Sequence, residues 1–306
     1  MFEHTPYVKL DISSTLLEKS DCPWLQEAVD LADENKVQLG IQMHNSSGRP
    51  ALDKAAASGL PMSFHSAVLG KYMFNFAAED PALSWQMIDE QYKLMQQYNV
   101  CRTVFHCFLM TDVPISAFGH GLSYAECMQK ANRKDLLRNE NSIFVRNFTD
   151  TDEFLMRRER VKKNLQLLQE KYGEFHWCVE NDFPAFTSGM LRGEDLVYIN
   201  HEVCFDTGHM WAACKMLDLD FFSELDTALA SGRVEMVHLH ASRYAMDIPH
   251  DQFGDGHLPL TYQGVMDLEK VVRKCRRAGV GHFVLECGDI TLDDIKLFLQ
   301  YNNEVQ

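Results

Sequence analysis

Short apolar runs of strand length alternate along this chain with longer segments in which apolar residues recur at helical spacing. The strand-like runs are VKLDIS (8–13), VQLGIQMH (37–44), PMSFHSAV (61–68), VCRTVFHCF (100–108), FHWCVEND (175–182), VCFDTG (203–208), VEMVHLHAS (234–242) and HFVLEC (282–287). Helical segments include 84–99, 152–173, 267–279 and 292–302. This alternation is typical of α/β proteins and predicts a (β/α)8 TIM barrel. A doubly wound open sheet is the alternative, but no GxGxxG motif follows the first strand to support it.

One segment interrupts the alternation. Residues 109–151 form a long polar stretch after the fourth strand and contain one predicted helix, over 123–139. Long connections in compact domains are often lids or binding loops, and after a barrel strand this one would overhang the carboxyl-terminal face. We therefore predict a single TIM-barrel domain over residues 1–306, with 109–151 inserted after strand 4 as a lid or a dimer contact.

Composition and charge narrow the class of protein. The chain has 306 residues, of which 46% are apolar, enough for one large core. It has no apolar run long enough to span a membrane, and its first residues, MFEHTPYVKLDISS, lack the apolar core of a secretory signal. Nine cysteines without a CxxC pair suggest buried thiols in a reducing compartment. We expect a cytoplasmic protein for which a homo-oligomer is one possible assembly, and the net charge of −15 predicts no general affinity for nucleic acid or anionic membranes.

Metal-type donors fall near the carboxyl ends of six successive predicted strands, from the third to the eighth. They are His65, His106, Glu180, Asp206, His238 and Glu286. Three more follow in predicted loops on the same face: His209 in DTGH, and Asp255 and His257 in DGH. Strand ends in a TIM barrel converge on one face, where catalytic groups gather. Because carboxylates at the ends of apolar strands are costly to bury unless they are paired or bind a metal, the pattern predicts a metal site.

These residues also carry a family resemblance. The series FH, FH, VEND, FDTGH, VHLH, DGHLP and LECGD resembles the xylose-isomerase-like TIM-barrel superfamily, also called AP endonuclease family 2, over about residues 60–290. Within it, all nine donors resemble, in order and in approximate spacing, the trinuclear zinc set of the endonuclease IV branch. The full series is more specific than DTGH followed by a DxHLP-type motif.

The resemblance implies three neighbouring metal ions. His65, His106 and a bridging Glu180 would hold the first, Asp206, His238 and Glu286 would complete the second, and the third would be held by His209, Asp255 and His257. Zn²⁺ is the first expectation, with Mn²⁺ or Fe²⁺ as alternatives and two to three ions in total. Closely spaced ions of this kind support hydrolysis of a phosphoester by metal-bound hydroxide. The implied catalytic residues are Glu180, Asp206 and Glu286.

Two other activities remain open on the same barrel. The sugar isomerases and epimerases of the superfamily use one metal, held at positions corresponding to Glu180, Asp206, His238 and Glu286, and the two glutamates move protons. That reading assigns no ligand role to His65, His106, Asp255 or His257. The third possibility is a multinuclear iron enzyme with oxidative chemistry, because carboxylates and imidazoles also suit iron.

The expected substrate is a small or nucleotide-like molecule. The chain lacks the GAHVS-like opening and the arginine-rich loops with which the endonuclease branch grips DNA, so abasic DNA is not the expected substrate. Four residues near the strand ends are predicted to contact the substrate: His44, His240, Arg243 and Trp211.

Overall fold

A computed structural model of the protein describes residues 8–19, 22–119, 121–262 and 264–304. Eight strands pair in parallel from β1 to β8, and β8 pairs with β1 to close a barrel. The strands are β1 Val8–Ser13, β2 Val37–Met43, β3 Met62–Ser66, β4 Arg102–Phe105, β5 His176–Glu180, β6 Val203–Asp206, β7 Val234–Leu239 and β8 His282–Leu285. The predicted TIM barrel is confirmed.

Helices lie between the strands and surround the barrel. They are α1 Thr15–Lys19, α2 Leu25–Glu34, α3 Arg49–Ala57, α4 Ala82–Gln97, α5 Tyr124–Gln129, α6 Asp152–Tyr172, α7 Gly193–Ile199, α8 Thr207–Leu217, α9 Phe221–Ala230, α10 Leu268–Arg277 and α11 Leu292–Asn303. Short 3-10 helices span Lys134–Leu136 and His250–Gln252. The predicted helices near 84–99, 152–173, 267–279 and 292–302 correspond to α4, α6, α10 and α11.

The inside of the barrel is built in layers by the two-residue repeat of its strands. A buried apolar cluster is formed by Val104, Cys178, Cys204, Met236 and Val284. A donor stands two residues after each of these, in the strand or immediately past its end: His106, Glu180, Asp206, His238 and Glu286. Because alternate residues of a strand face the same side, the apolar layer supports the layer of donors directly above it.

The outer face of the strands packs against the helices. Phe105 of β4 makes an edge-to-face contact with Trp177 of β5, at a centroid distance of 6.0 Å. Helix α6 buries Phe154, Val161 and Leu165 toward the barrel, and these apolar residues recur at helical spacing. This burial anchors the helix that follows the segment 109–151.

The carboxyl end of β6 differs from the prediction. VCFDTG was predicted to be extended through residue 208 and His209 to lie in a loop, but α8 begins at Thr207. The cause is Asp206, whose Oδ1 accepts a 2.6 Å hydrogen bond from the backbone N–H of His209 and caps the helix. His209 therefore stands in the first turn of a helix, which holds its ring more rigidly than a loop would.

Segment 109–151 connects β4 to α6 and contains α5 and the first 3-10 helix. The predicted helix over 123–139 is wrong beyond Gln129. At Arg133 the backbone leaves the helical region, with φ −92° and ψ 84°. Its guanidinium contacts Asp135 and Glu153 and donates to the carbonyl oxygen of Met110, so these tertiary contacts compete with continuation of the helix.

Two further sequence predictions concern location and thiols. No helix among the described residues is long and apolar enough to cross a membrane. Cys178 and Cys204 are buried free thiols inside the barrel. The start of the N-terminal stretch that we interpret as lacking a secretory signal, residues 1–7, lies outside the described residues.

Candidate metal centre

All nine predicted donors come together at the carboxyl-terminal end of the barrel. His65, Glu180, Asp206 and His238 lie in strands, while His106 and Glu286 follow β4 and β8 immediately. His209 lies in α8, and Asp255 and His257 lie in the loop after β7. Most of these side chains are buried, which requires that their polar atoms be satisfied within the protein or by a ligand.

Glu180 stands between two imidazoles on one side and a third on the other. Its Oε2 lies 3.1 Å from Nε2 of His65 and 3.2 Å from Nε2 of His106. Its other oxygen, Oε1, lies 2.8 Å from Nδ1 of His238. The same His238 nitrogen is 3.1 Å from Oε2 of Glu286 and 3.8 Å from Oδ2 of Asp206. One carboxylate thus faces two sets of donors, as a ligand that bridges two ions must.

A third group lies beside these two. Oδ2 of Asp255 is 2.9 Å from Nε2 of His257 and 3.3 Å from Nε2 of His209. The ligand atoms of these three residues lie within 4.8 Å of one another, as do those of His65, His106 and Glu180. Each group therefore has the spacing of donors around a single ion.

Hydrogen bonds on the far side of three rings determine which nitrogen faces the centre. Nδ1 of His106 donates to Oδ1 of Asp182 at 2.8 Å. Nδ1 of His209 donates to the carbonyl oxygen of Asn181 at 2.9 Å, and Nδ1 of His257 to that of Glu286 at 3.0 Å. A backbone carbonyl can only accept, so Nδ1 of His209 and His257 carries the proton. In their neutral forms these rings leave Nε2 as a lone-pair donor, the arrangement found around protein-bound metals.

His240 supports Asp206 from behind. Its Nδ1 accepts the backbone N–H of His257 at 2.8 Å, so its Nε2 carries the proton and faces Oδ2 of Asp206 at 3.1 Å. The His240 ring fills the space beside Gly208, where an added Cβ would lie 2.0 Å from Cε1 of His240. Gly208 is therefore needed for the approach of His240 to Asp206.

The pKa values of several donors are strongly shifted by their neighbours. Burial opposes ionisation of Glu180, but three neighbouring imidazoles, first that of His238, hold its pKa well below its usual range. Burial likewise opposes charge on His257, yet Asp255 raises its pKa to about 10. The pKa of His209 is raised well above 6.5 against its burial by Asp206 and Asp255. Cations replacing these protons would face a cluster of ionised carboxylates.

The donor set fits divalent metal ions. Oε2 of Glu180 and Oε2 of Glu286 are buried and have no hydrogen-bond partner of good geometry among the described residues. Imidazole nitrogens and carboxylate oxygens in this proportion suit Zn²⁺, Mn²⁺ and Fe²⁺. Coordination would satisfy atoms that the protein leaves without partners, which is the usual explanation for buried orphaned oxygens at a functional site.

A cavity of about 310 Å³ opens above the centre. Its floor consists of donors: His65, His106, His209, Asp255, His257 and Glu286. Its walls and roof are mainly apolar: Met73, Leu109, Phe118, Tyr124 and Phe183. Leu109, Phe118 and Tyr124 belong to the segment 109–151, so this segment supplies part of the enclosure.

Of the four residues predicted to contact the substrate, two lie at the site and two lie outside the cavity. His44 lines the cavity, and Nε2 of His240 contacts Oδ2 of Asp206. Arg243 is exposed, donates to the hydroxyl of Tyr244, and does not line the cavity. Trp211 does not line it either, because its Nε1 donates to the carbonyl oxygen of Tyr244 at 2.7 Å and its ring packs outside the centre.

Several site residues were missed at the sequence level. Asp182 orients His106, and Asn181 ties β5 to β6 through two hydrogen bonds with the backbone of Asp206, at 2.8 and 3.0 Å. Asp182 follows Glu180 by two residues, so strand periodicity could have placed both on one side. Phe118, Tyr124 and Phe183 lie outside the strands, where no two-residue period indicates direction.

Comparisons with solved structures identify the fold. No family model and no curated protein matches the chain. Solved structures do match it over nearly its whole length. A D-tagatose 3-epimerase-like protein has a TM-score of 0.55 at 12% identity, with 97% of this chain and 98% of that chain covered. A xylose isomerase domain containing protein from Salmonella typhimurium has a TM-score of 0.55 at 12% identity, with 98% and 97% covered.

Endonuclease IV from Thermus thermophilus has a TM-score of 0.52 at 17% identity, with 97% of this chain and 98% of that chain covered. The chain therefore has the fold of the xylose-isomerase-like TIM barrels, as the residue series predicts. An epimerase-like protein and an endonuclease match this fold with similar TM-scores. The fold therefore does not distinguish their activities, and a functional assignment must rest on the residues of the site.

Proposed function

We propose that this protein is a divalent-metal-dependent hydrolase that cleaves a phosphoester in a small substrate at a multinuclear centre. The observation that carries the proposal is the third donor group, His209, Asp255 and His257. Both imidazoles of this group present Nε2 to one carboxylate oxygen, and both are fixed from behind by backbone carbonyls. A one-ion enzyme that uses Glu180, Asp206, His238 and Glu286 has no need of such a group.

The first group argues in the same direction. His106 is oriented by Asp182, whose other oxygen accepts two backbone N–H groups, from Gly189 and Met190. A ring held this firmly, with Nε2 directed at Glu180, is organised for coordination. These two separately organised groups favour two or three ions, with Zn²⁺ as the first expectation.

When bound, closely spaced divalent ions activate water and offset charge on the phosphoryl oxygens. In the overall reaction the water oxygen forms a bond to phosphorus while the bond from phosphorus to the leaving oxygen breaks. The water loses one proton and the leaving oxygen gains one, so a diester yields a monoester and an alcohol.

His44 lines the cavity and would bind the phosphoryl group. Its Nδ1 accepts the backbone N–H of Ser46 at 3.2 Å, so its Nε2 carries the proton. Burial, aided by the charge of His65, lowers the pKa of His44 to about 3, which keeps the ring neutral. A neutral ring with Nε2–H serves as a hydrogen-bond donor to a phosphoryl oxygen and not as a general base.

Metal stoichiometry tests the proposal. Protein loaded with Zn²⁺ and freed of excess by dialysis should contain two to three equivalents per chain by elemental analysis. The His257→Asn variant should lose about one equivalent and the hydrolysis of methyl 4-nitrophenyl phosphate. His176→Asn, which alters a half-exposed histidine at the start of β5, is the matched control and should keep both. One equivalent in the wild-type protein would overturn the proposal.

A sugar epimerase is the second candidate. The observation in its favour is that Glu180 and Glu286 both contact Nδ1 of His238, at 2.8 and 3.1 Å, as acid and base groups around one ion would. The D-tagatose 3-epimerase-like neighbour shares the fold. This candidate predicts a single equivalent of metal and an activity that survives His257→Asn, so the same experiment separates the two.

A further inference from the structure

The cavity above the candidate metal centre has two chemically different sides. Its floor is made of imidazoles and carboxylates, whereas its roof is made of aromatic and aliphatic groups. Phe118 stands edge-on to His44, with ring centroids 6.1 Å apart, and to Tyr124, at 5.7 Å. Phe183 faces His209 from another side at 6.0 Å. A ligand that reaches the floor must therefore place its other end against rings.

The roof offers few hydrogen-bonding groups. Apart from the six floor donors, the polar side chains that line the cavity among the described residues are His44, Asp182, Tyr124 and Ser188. Both oxygens of Asp182 already accept hydrogen bonds, and the hydroxyl oxygens of Tyr124 and Ser188 lie 3.4 Å apart and bond to each other. A sugar chain seated here would leave most of its hydroxyls against Met73, Leu109 and Phe118 without partners. Desolvated hydroxyls that lack partners weaken binding, so the roof disfavours a polyol.

The cavity also supplies no permanent cation. No lysine or arginine belongs to its lining among the described residues. Arg243 lies outside it, against the ring of Tyr244. Negative charge on a substrate is therefore offset at the floor alone. A group with several phosphates that extended toward the roof would meet no counter-charge, which favours a substrate with one anionic centre.

We propose that the substrate is a compact aryl phosphodiester, with its single anionic group at the floor and its aromatic ring against Phe118 and Phe183. This inference rests on the proposed phosphoester hydrolysis for the identity of the anionic group. The preference for an aromatic ring follows from the roof itself. Edge-to-face and offset contacts with three aromatic residues favour a planar ring over a flexible chain of similar area. A cavity of about 310 Å³ holds such a molecule and not a duplex.

Binding of non-hydrolysable probes tests the inference without catalysis. Methylphenylphosphinate and dimethylphosphinate carry the same anionic group, contain no ester bond and differ in the ring, while ribose 5-phosphate supplies a polyol. In calorimetric titrations of the zinc-loaded protein, the phenyl probe should bind at least tenfold more tightly than the methyl probe or ribose 5-phosphate. Phe118→Ala should reduce the ratio of phenyl-probe affinity to methyl-probe affinity at least fivefold.

The control substitution lies in the same segment as Phe118, and the second variant changes another residue of the roof. Leu122 lies four residues from Phe118, is 40% exposed and does not line the cavity, so Leu122→Ala should keep the full preference. Phe118 and Phe183 are only partly buried, so their replacement should leave the fold intact. If Phe118→Ala nevertheless unfolds, Phe183→Leu is measured instead and should show the same loss.

The outcomes separate this inference from the proposed function. Equal binding of the phenyl and methyl probes, tighter binding of ribose 5-phosphate, or no binding of any probe overturns the aryl inference. An aryl preference without hydrolysis of methyl 4-nitrophenyl phosphate, or with only one equivalent of metal, supports the roof assignment and defeats the hydrolase. Hydrolysis of methyl 4-nitrophenyl phosphate without an aryl preference supports the hydrolase and overturns the aryl inference.

Discussion

Nδ1 of His106 donates a 2.8 Å hydrogen bond to Oδ1 of Asp182, and this bond directs the opposite ring nitrogen toward Glu180. The second oxygen of Asp182 is held by backbone N–H groups of the loop after β5. The carboxylate therefore couples the conformation of a backbone loop to the direction of an imidazole. Comparable partners of metal-binding histidines act in this way.

Replacement of Asp182 by asparagine should weaken metal binding. An amide has one acceptor oxygen, so it cannot serve both His106 and the two backbone N–H groups. We expect the affinity for Zn²⁺ to fall about 10- to 100-fold, as measured by calorimetric titration, while circular dichroism shows a folded barrel. Asp251→Asn, which changes an exposed carboxylate in the loop after β7, should leave the affinity unchanged. Equal affinities for the two variants would refute this role.

Gly208→Ala should damage the centre through sterics alone. The new Cβ would lie 2.0 Å from Cε1 of His240, which must then move away from Asp206. Such overpacking costs about 1–3 kcal/mol in the free energy of unfolding, measurable in urea. The metal content should fall as well, because Asp206 loses its support. Gly48→Ala is the matched control, since its Cβ would meet only Pro50 at 3.5 Å. A full complement of metal in Gly208→Ala would contradict this account.

Metal binding should release protons and strengthen as the pH rises. In the metal-free protein the pKa of His257 is raised to about 10 by Asp255, so its ring is protonated at neutral pH. Coordination requires the neutral ring, and below a pH of about 10 each displaced proton makes the affinity rise by about tenfold per pH unit. Calorimetric titrations with Zn²⁺ at about pH 6, 7 and 8, in buffers of different ionisation enthalpy, measure both effects. An affinity independent of pH would contradict the assignment.

Arg157→Ala should destabilise the junction between the segment 109–151 and α6. The guanidinium is 6% exposed and contacts Asp112 and Glu153, both at 2.9 Å, and the carbonyl oxygen of Ala77 at 3.2 Å. Loss of this buried group should lower the free energy of unfolding by about 2–4 kcal/mol. Lys163→Ala removes an exposed 3.8 Å pair with Glu159 and should change it by less than about 0.5 kcal/mol. Similar effects of both substitutions would disprove the anchoring role.

The barrel and its donors were predictable from the sequence because both follow from strand periodicity. His106, Glu180 and Asp206 each stand two residues after a buried apolar residue of the same strand, so their common direction is set by the backbone. The end of β6 was predicted less well. Asp206 acts there as a helix cap as well as a donor, and periodicity cannot distinguish the last strand residue from a cap.

Strand periodicity could not predict the positions of loop residues. The predicted helix over 123–139 ends early because Arg133 finds partners in Asp135 and Glu153, a tertiary choice that helical propensity does not contain. Arg243, predicted to contact the substrate, is exposed, donates to the hydroxyl of Tyr244 and does not line the cavity. Its direction depends on how the loop after β7 folds, and no local pattern specifies that.

The sequence by itself determined the eight-fold alternation of strands and helices and the presence of nine metal-type donors at the strand ends and in the segments that follow. A two-residue period and a closed parallel barrel are enough to bring such residues to one face. Only the tertiary structure decided which nitrogen the rings of His106, His209 and His257 present, and that an apolar roof covers the donors. Those features depend on hydrogen bonds and packing between residues that are distant in the chain, such as His106 with Asp182, His240 with Asp206, and Phe118 with His44.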